Sequence, residues 1–330
     1  MSAPGAEADA PAAARCPRAG QRGARPGAAW LLPAAALAAA ALVPPAAAQD
    51  GRIETFHVQG NVHLLVGAGA NVAVQIGDEG VLVVDTGPAA MRDEMLAAIR
   101  RLSDRPIRWI INTNADADHT GGNETISQAG MTVNGNPAAI IAHERVLTRM
   151  SEQGRAITEL PLNTFFESQR DFSFNGEAIF LYHVPNAHTD GDIVVYFRGS
   201  DVLVAGDLFT TTQYPVIDLE AGGGIDGFIT GLNLMLDVAV PRYLQEGGTY
   251  VIPGHGRVGD EADIVEYRDM VVILRERIAD MLRRGMTLEQ ILATRPALDY
   301  DPRYDRSGEW TSRMFVEAAY RDLERKLGGE

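Results

Sequence analysis

Cysteine is nearly absent. The chain of 330 residues has one, Cys16, and it lies in an N-terminal stretch that reads as a removable leader. The mature chain therefore has no disulfide, no thiolate metal ligand and no thiol nucleophile. Lysine is almost missing too: Lys326 stands alone and arginine serves elsewhere. There is no basic tract. Lys and Arg total 29 against 44 Asp and Glu, for a net charge of −15. Such a balance argues against nucleic acid and anionic membrane as partners and leaves a small-molecule substrate. A long uninterrupted apolar run is also lacking. The nearest approach, AAWLLPAAALAAAALVPPAAAQD, is broken by Pro33, Pro44 and Pro45 and is mostly alanine, a poor membrane span. It follows Arg15, Arg18, Arg22 and Arg25 and ends in small residues. A basic start, a short apolar middle and an A-x-A end predict a secretory signal over residues 1–48, cleaved after Ala48. Cys16 precedes the apolar run, so it is not placed as a lipoprotein cysteine would be. Cleavage would remove four arginines and two acids and take the charge to −17. The expected location is the periplasm or outside the cell.

What remains, residues 49–330, reads as one domain. Hydrophobic residues make up 46% of the chain, ample for a large core. Short β-rich runs separated by Gly-Asn and Gly-Asp-Glu-Gly turns open it, and GVLVVDTG is continuously apolar, as a strand covered on both faces would be. Met91, Met95, Ile99 and Leu102 then recur at helical spacing, and PIRWIINT is another buried strand. A second series follows: RDFSFN, EAIFLYHV, DIVVYFRG and DVLVAGD as strands, FITGLNLMLDVAV as a helix, and TYVIPGHG as a strand. From about residue 260 the pattern is helical, ending in an amphipathic helix from Trp310 to about Leu327. Two strand groups, each followed by helices with no linker between, predict an α/β fold of four layers. Two mixed sheets would pack together with helices outside, an αββα sandwich.

Four segments share one trait: a buried strand ends, and metal-capable residues follow at once. IINTNADADH supplies Asn114, Asp116, Asp118 and His119; VPNAHTDGD supplies His188, with Asp190 and Asp192 close by; VLVAGD supplies Asp207; VIPGHG supplies His255. Strand ends with short loops can hold several ligands in fixed geometry. Singly, each has an ordinary alternative, since an Asp in a turn usually caps a helix and Asp118 could cap NETIS.

In their order and separations these segments resemble the metallo-β-lactamase superfamily over about residues 55 to 270. The carrying residues are GVLVVDTG (80–87), NADADHTGGN (114–123), AHTDGDIVV (187–195), AGD (205–207) and PGHG (253–256). The resemblance implies the αββα fold and one or two metal ions between the sheets. It assigns Asp118, His119 and His255 to the second metal position, Asp207 to the aspartate that bridges both, and His188 to the third histidine of the first position. Asn114 and Asp116 stand where that position has its first two histidines, an atypical N-x-D-x-D-H loop.

Three readings follow. Asp118, His119, Asp207 and His255 make a sound set for one Zn²⁺ with room for water. Asp116, His188 and Asp207 would hold a second ion, with Asn114 as a weak carbonyl ligand or a hydrogen-bond partner; that oxygen-rich set favours Mn²⁺ or Fe²⁺. The third reading is a degenerate, non-catalytic site. The resemblance implies a metal-dependent hydrolase, with metal-bound hydroxide attacking an ester, lactone, thioester or amide carbonyl and Asp118 orienting the water. A di-iron or manganese oxidoreductase is the rival. Asp85 in VVDTG is expected to brace the metal loop. His57 and His63 are read as structural, His183 as packed, His143 as near the rim, and Tyr214 as a pocket wall.

Overall fold

The computed structural model describes residues 52–67, 69–306, 308 and 310–327, all in the unit Ala48–Glu330. The expected leader, with Cys16, lies outside the described residues. Burial at all five positions of Gly80–Val84 fits the unbroken apolar run there. That strand, β4, belongs to a seven-stranded sheet of β1 (Glu54–Gln59), β2 (Val62–Val66), β3 (Val72–Gly77), β4, β5 (Ile107–Ile111), β6 (Ala139–His143) and β7 (Asn163–Phe165), in that spatial order. The first four strands run antiparallel, and β4 through β7 run parallel. The second sheet, in chain order, holds β8 (Gln169–Phe174), β9 (Glu177–Val184), β10 (Asp192–Phe197), β11 (Val202–Thr210), β12 (Tyr250–His255) and β13 (Gly259–Asp260). There only β11 and β12 are parallel.

Alternation of side chains sorts the strands into layers. Leu82 and Val84 meet Ile179, Leu181, Val195 and Ile252 between the sheets. Val81 and Val83 point the other way, to Met95, Ala98 and Ile99 of α1 (Arg92–Leu102). Two short helices, α2 (Ala117–Thr120) and α3 (Asn123–Ala129), and then α4 (Glu144–Glu152) complete that side. Over the second sheet lie α5 (Ile225–Val238), α6 (Glu261–Arg283), α7 (Leu288–Thr294), α8 (Asp301–Tyr304) and α9 (Ser312–Leu327). Their Phe228, Tyr267, Leu274 and Phe315 bury Val194, Leu203 and Val251. Truncating Leu82 would open a cavity between the sheets at a cost of about 2–5 kcal/mol. The architecture is the expected αββα sandwich.

Parallel pairing has a positional consequence. The C-terminal ends of β4 and β5 in one sheet, and of β11 and β12 in the other, reach the same edge of the sandwich. A main-chain hydrogen bond ties the sheets there: Ile193 N–H donates to Thr113 O at 2.9 Å.

Candidate metal centre

His119 lies within α2, whose first turn starts at Asp116, and its ring is wholly buried. Asp118 sits one residue earlier in α2. It does not cap the next helix, since the residue before α3 is Gly122. Asp85, just past β4, adopts a left-handed backbone conformation, φ 63°. Non-glycine residues keep that conformation only where the surroundings hold them, often at functional sites. Its carboxylate accepts Thr113 N–H (2.8 Å), Thr113 Oγ1–H (2.7 Å) and the His119 Nδ1–H (2.8 Å). A proton is thus held on Nδ1, and in the neutral ring Nε2 is the nitrogen left to bind an ion.

The other donors come from the second sheet. His255 ends β12, with Nε2 3.2 Å from Asp118 Oδ2 and 3.6 Å from Asp207 Oδ1. His188 stands in the β9–β10 loop. Its Nδ1–H donates to Val216 O at 2.8 Å, and its Nε2 lies 3.1 Å from Asp116 Oδ2. Asp207 sits in β11 where pairing with β12 slips register, so its side chain is aimed out of the regular pleat. Gly254 on β12 leaves it room: a Cβ there would lie 2.2 Å from Asp207 Oδ1. The result is two groups, Asp118–His119–His255 and Asp116–His188–Asp207, in each of which one donor atom per residue lies within 4.8 Å of the others. Asp207 joins them, with Oδ2 3.1 Å from His119 Nε2 and 3.7 Å from His188 Nε2.

Asn114 is buried and turned the wrong way to be a ligand. Its Oδ1 accepts the Asp116 N–H at 2.9 Å, which fixes the orientation of the amide, and its Nδ2 donates to Asp207 Oδ2 at 3.0 Å. An amide nitrogen has no lone pair to offer a cation.

Charge in the site is mutually stabilised. Burial favours the neutral acid of Asp207, but His119, His188 and His255 outweigh it and hold the carboxyl far below its usual range. Burial likewise opposes protonation of His188, yet Asp116, Asp207 and Asp192 push it up to about 10. His119 is raised against its own burial by Asp207 and Asp85. Its hydrogen bond with Asp118 raises His255; burial pushes Asp118 up, but that bond together with the charges of His119 and His255 outweighs it and lowers the pKa. Without a cation, imidazolium protons are the countercharge for Asp116, Asp118 and Asp207. A divalent ion would take their place. The buried Nε2 of His119 makes no hydrogen bond at all, although Asp207 is near. Once the ring gives up its Nε2 proton, that nitrogen, set 3.1 Å from Asp207 Oδ2 and beside two other imidazoles, offers a lone pair that fits a divalent cation.

The remaining candidates lie elsewhere. His143 stacks on His183, ring centroids 3.5 Å apart and planes 9° from parallel, outside both ligand groups. His57 and His63 meet edge to face on β1 and β2. Asp192, buried, accepts Thr189 N–H and Oγ1–H, and burial pushes its pKa to about 6. Asp190 pairs with Arg149. Tyr214 does not wall a pocket: it is fully buried, its hydroxyl bonded to Ala297 O and Asp301. Thr113 and the Val216 carbonyl are functional partners that the sequence did not single out. The threonine was visible next to the motif, but a backbone carbonyl carries no residue signal.

With this geometry in view, comparison with known proteins is direct. The sequence profile of the Metallo-beta-lactamase superfamily matches residues 65–255. A Metallo-beta-lactamase type 2 of Bacillus cereus is 23% identical over 194 residues, 58% of this chain and 69% of that protein. A linear primary-alkylsulfatase of a Pseudomonas species is 22% identical over 260 residues, 65% of this chain but 47% of its own length. The solved structure of a stereoselective inverting sec-alkylsulfatase from Pseudomonas superposes with a TM-score of 0.65 at 15% identity. It covers 84% of this chain and 51% of the other. The profile match spans more than half of the chain and contains every residue of both ligand groups, so the protein belongs to the metallo-beta-lactamase superfamily.

Proposed function

We propose that this protein is a metal-dependent hydrolase, exported from the cytoplasm, that cleaves an ester, lactone, thioester or amide of a small molecule. The observation that carries the reading is the pair of donor groups gathered on Asp207, with the buried His119 Nε2 left without a hydrogen bond. We assign Asp118, His119 and His255, joined by Asp207, to a Zn²⁺ position. Asp116, His188 and Asp207 would form a second, oxygen-rich position suited to Zn²⁺ or to Mn²⁺ or Fe²⁺. Bound there, a divalent ion supplies Lewis acidity that makes water a nucleophile near neutral pH and polarises the scissile carbonyl. The chain's own residues do the rest. Asp118, its pKa lowered by His255 and His119 and its side chain about a third exposed (37%), can accept a proton from an attacking water. Asp85 holds the His119 tautomer, and Val216 O holds that of His188. Asn114 keeps the Asp207 carboxylate from turning.

A second reading, hydrolysis of a sulfate ester, is favoured by one finding. The likeness to the sec-alkylsulfatase covers 84% of this chain and so extends past the superfamily match at 65–255. A panel of lactones, thioesters, amides, β-lactams and alkyl sulfates, each with Zn²⁺, Mn²⁺ and Fe²⁺, separates the two. Turnover of acyl substrates alone supports the first reading and of sulfate esters alone the second. Iron in protein purified without added metal, with oxygen consumed from an electron donor and no hydrolysis, would replace both with an oxidoreductase.

A further inference from the structure

The stretch from Val202 to Ile225 runs from β11 past the metal centre and back into a helix. Its central residues, 213–218, are held on two sides by different parts of the molecule. On the inner side they grip His188 twice: Val216 O accepts the ring Nδ1–H at 2.8 Å, and Asp218 N–H donates to His188 O at 3.0 Å. On the outer side they are gripped by the C-terminal stretch that follows α7. The Tyr214 hydroxyl lies 3.0 Å from Ala297 O and 2.9 Å from Asp301 Oδ1, and its ring stacks on Phe315 at 5.2 Å. Trp310 Nε1–H donates to Pro215 O at 3.0 Å, and Gln213 bridges to Asp305. Three successive residues therefore link the two sides: 214 and 215 face the C-terminal stretch, and 216 carries the carbonyl that His188 needs.

Two features make this more than ordinary packing. The carbonyl of Val216 accepts the Nδ1–H of His188 and so orients the ring, with Nε2 turned toward Asp116 and Asp207 where an ion would sit. The gripping residues, Ala297, Asp301, Asp305 and Trp310, lie beyond residue 255, where the superfamily match ends. We propose that the C-terminal stretch is a working part of the metal centre: through Trp310 and Tyr214 it fixes the 214–216 backbone, which fixes His188. Trp310 and Tyr214 are positioning residues for the Asp116–His188–Asp207 position, and this rests on reading that group as a second ion position.

Trp310→Phe and Tyr214→Phe test it, since each keeps an aromatic ring and deletes one donor. Zinc is titrated by calorimetry into metal-free protein, and Co²⁺ absorption is recorded at each equivalent. The double variant is expected to bind the first equivalent within about twofold of the parent and the second about 10- to 100-fold more weakly, the range seen when outer partners of ligands are lost. Tyr320→Phe is the control. It removes a hydroxyl from the same outer layer that bonds Glu324 and not the 213–218 segment; both equivalents should stay unchanged. The nitrogen resonances of the His188 ring in metal-free protein give a readout that needs no ion. The parent should show Nδ1–H as the hydrogen-bonded site, and the double variant should lose that signature. Parallel weakening of both equivalents, or a lowered melting temperature with both affinities and the ring signature intact, would overturn the proposal. Should the parent take up only one equivalent, the two-ion reading fails. The ring signature then decides this inference alone: lost in the double variant, it stands; retained, it falls.

Discussion

Asn114 and Asp116 stand where histidines would be expected, and they have divided the work. Asn114 spends its oxygen on the Asp116 N–H and its nitrogen on Asp207, so it braces two acidic residues of the site. Asp116 keeps a carboxylate oxygen 3.1 Å from His188 Nε2. Three substitutions separate these roles by metal content. His255→Ala removes one of three donors around His119 and should abolish tight binding of the first ion. Asn114→Ala loses a hydrogen bond to a charged group, a stability cost of about 1.5–3 kcal/mol, and should retain that ion. Asp116→Ala should drop the metal content from two equivalents to one. Loss of all metal from Asn114→Ala, with His255→Ala still loaded, would show that the centre is assigned backwards.

The same residues set a pH dependence. His188 has its pKa raised to about 10 in the metal-free protein, so at neutral pH its ring must shed a proton to bind an ion. Zinc affinity at that position should therefore rise with pH from about 7 to about 10 and level off above. For the folded protein without metal the sign is opposite. A histidine raised from about 6.5 contributes stability that is complete below 6.5 and is lost as pH climbs through about 10. Melting temperatures of the metal-free protein should fall over that window, and those of the zinc-loaded protein should not follow them. Equal slopes in the two series would rule the protonated His188 out.

At the scale of elements, β6 and β9 carry a second histidine pair with a different character. His143 closes β6, opens α4 by accepting the Arg145 N–H, and stacks on His183 of β9. Burial, then the neighbouring His183, lower its pKa to about 4. The unfolded chain takes up a proton near 6.5 and the folded one only near 4, so stability is lost as pH falls between those values and not further below. The shift amounts to about 3 kcal/mol at pH 4. His143→Asn keeps a good N-cap and removes the imidazole. Urea midpoints at pH 7 and 4.5 should draw together in this variant; an unchanged gap would place the acid lability elsewhere.

Elements also show what could be read from the chain and why. Several metal-capable residues stood out in the sequence because they follow or end strong apolar runs: His119 after PIRWII, His255 in VIPGH. The layer order followed from two strand groups, each followed by helices, with runs such as Val81 to Val84 apolar throughout because both faces are covered. Strands β7 and β13 did not, since three and two residues are too few to show a period. Helix α8 escaped for the same reason, at four residues. Tyr214 looked like a pocket wall from its place after β11. Its true neighbours, Ala297 and Asp301, are 83 and 87 residues away in the chain. Contacts of that range between a side chain and a backbone carbonyl leave no local pattern, and this is also why Val216 and Trp310 were invisible beforehand.

For the whole molecule, the acidic composition and the proposed leader bear on one question, where the protein works. Among the described residues no helix is long and apolar enough to cross a membrane. The leader's composition argues for removal: four arginines, an alanine-rich core broken by Pro33, Pro44 and Pro45, and the small residues Ala46, Ala47 and Ala48 at its end. Folding cannot depend on a disulfide, because Cys16 is the one cysteine and would leave with the leader. If the chain is exported unfolded, as proposed, the metal is acquired afterwards, since the candidate donors come from four separate segments between Asp116 and His255 that meet only in the folded sandwich. Expressed from the full chain in a bacterium with a periplasm, the protein should be recovered there with Gln49 as its first residue, by N-terminal sequencing and intact mass. Protein prepared directly from residue 49 in the cytoplasm should reach the same melting temperature once zinc is supplied. Recovery of uncleaved chain from the cytoplasm, fully metal-loaded, would remove the case for export while leaving the metal centre as described.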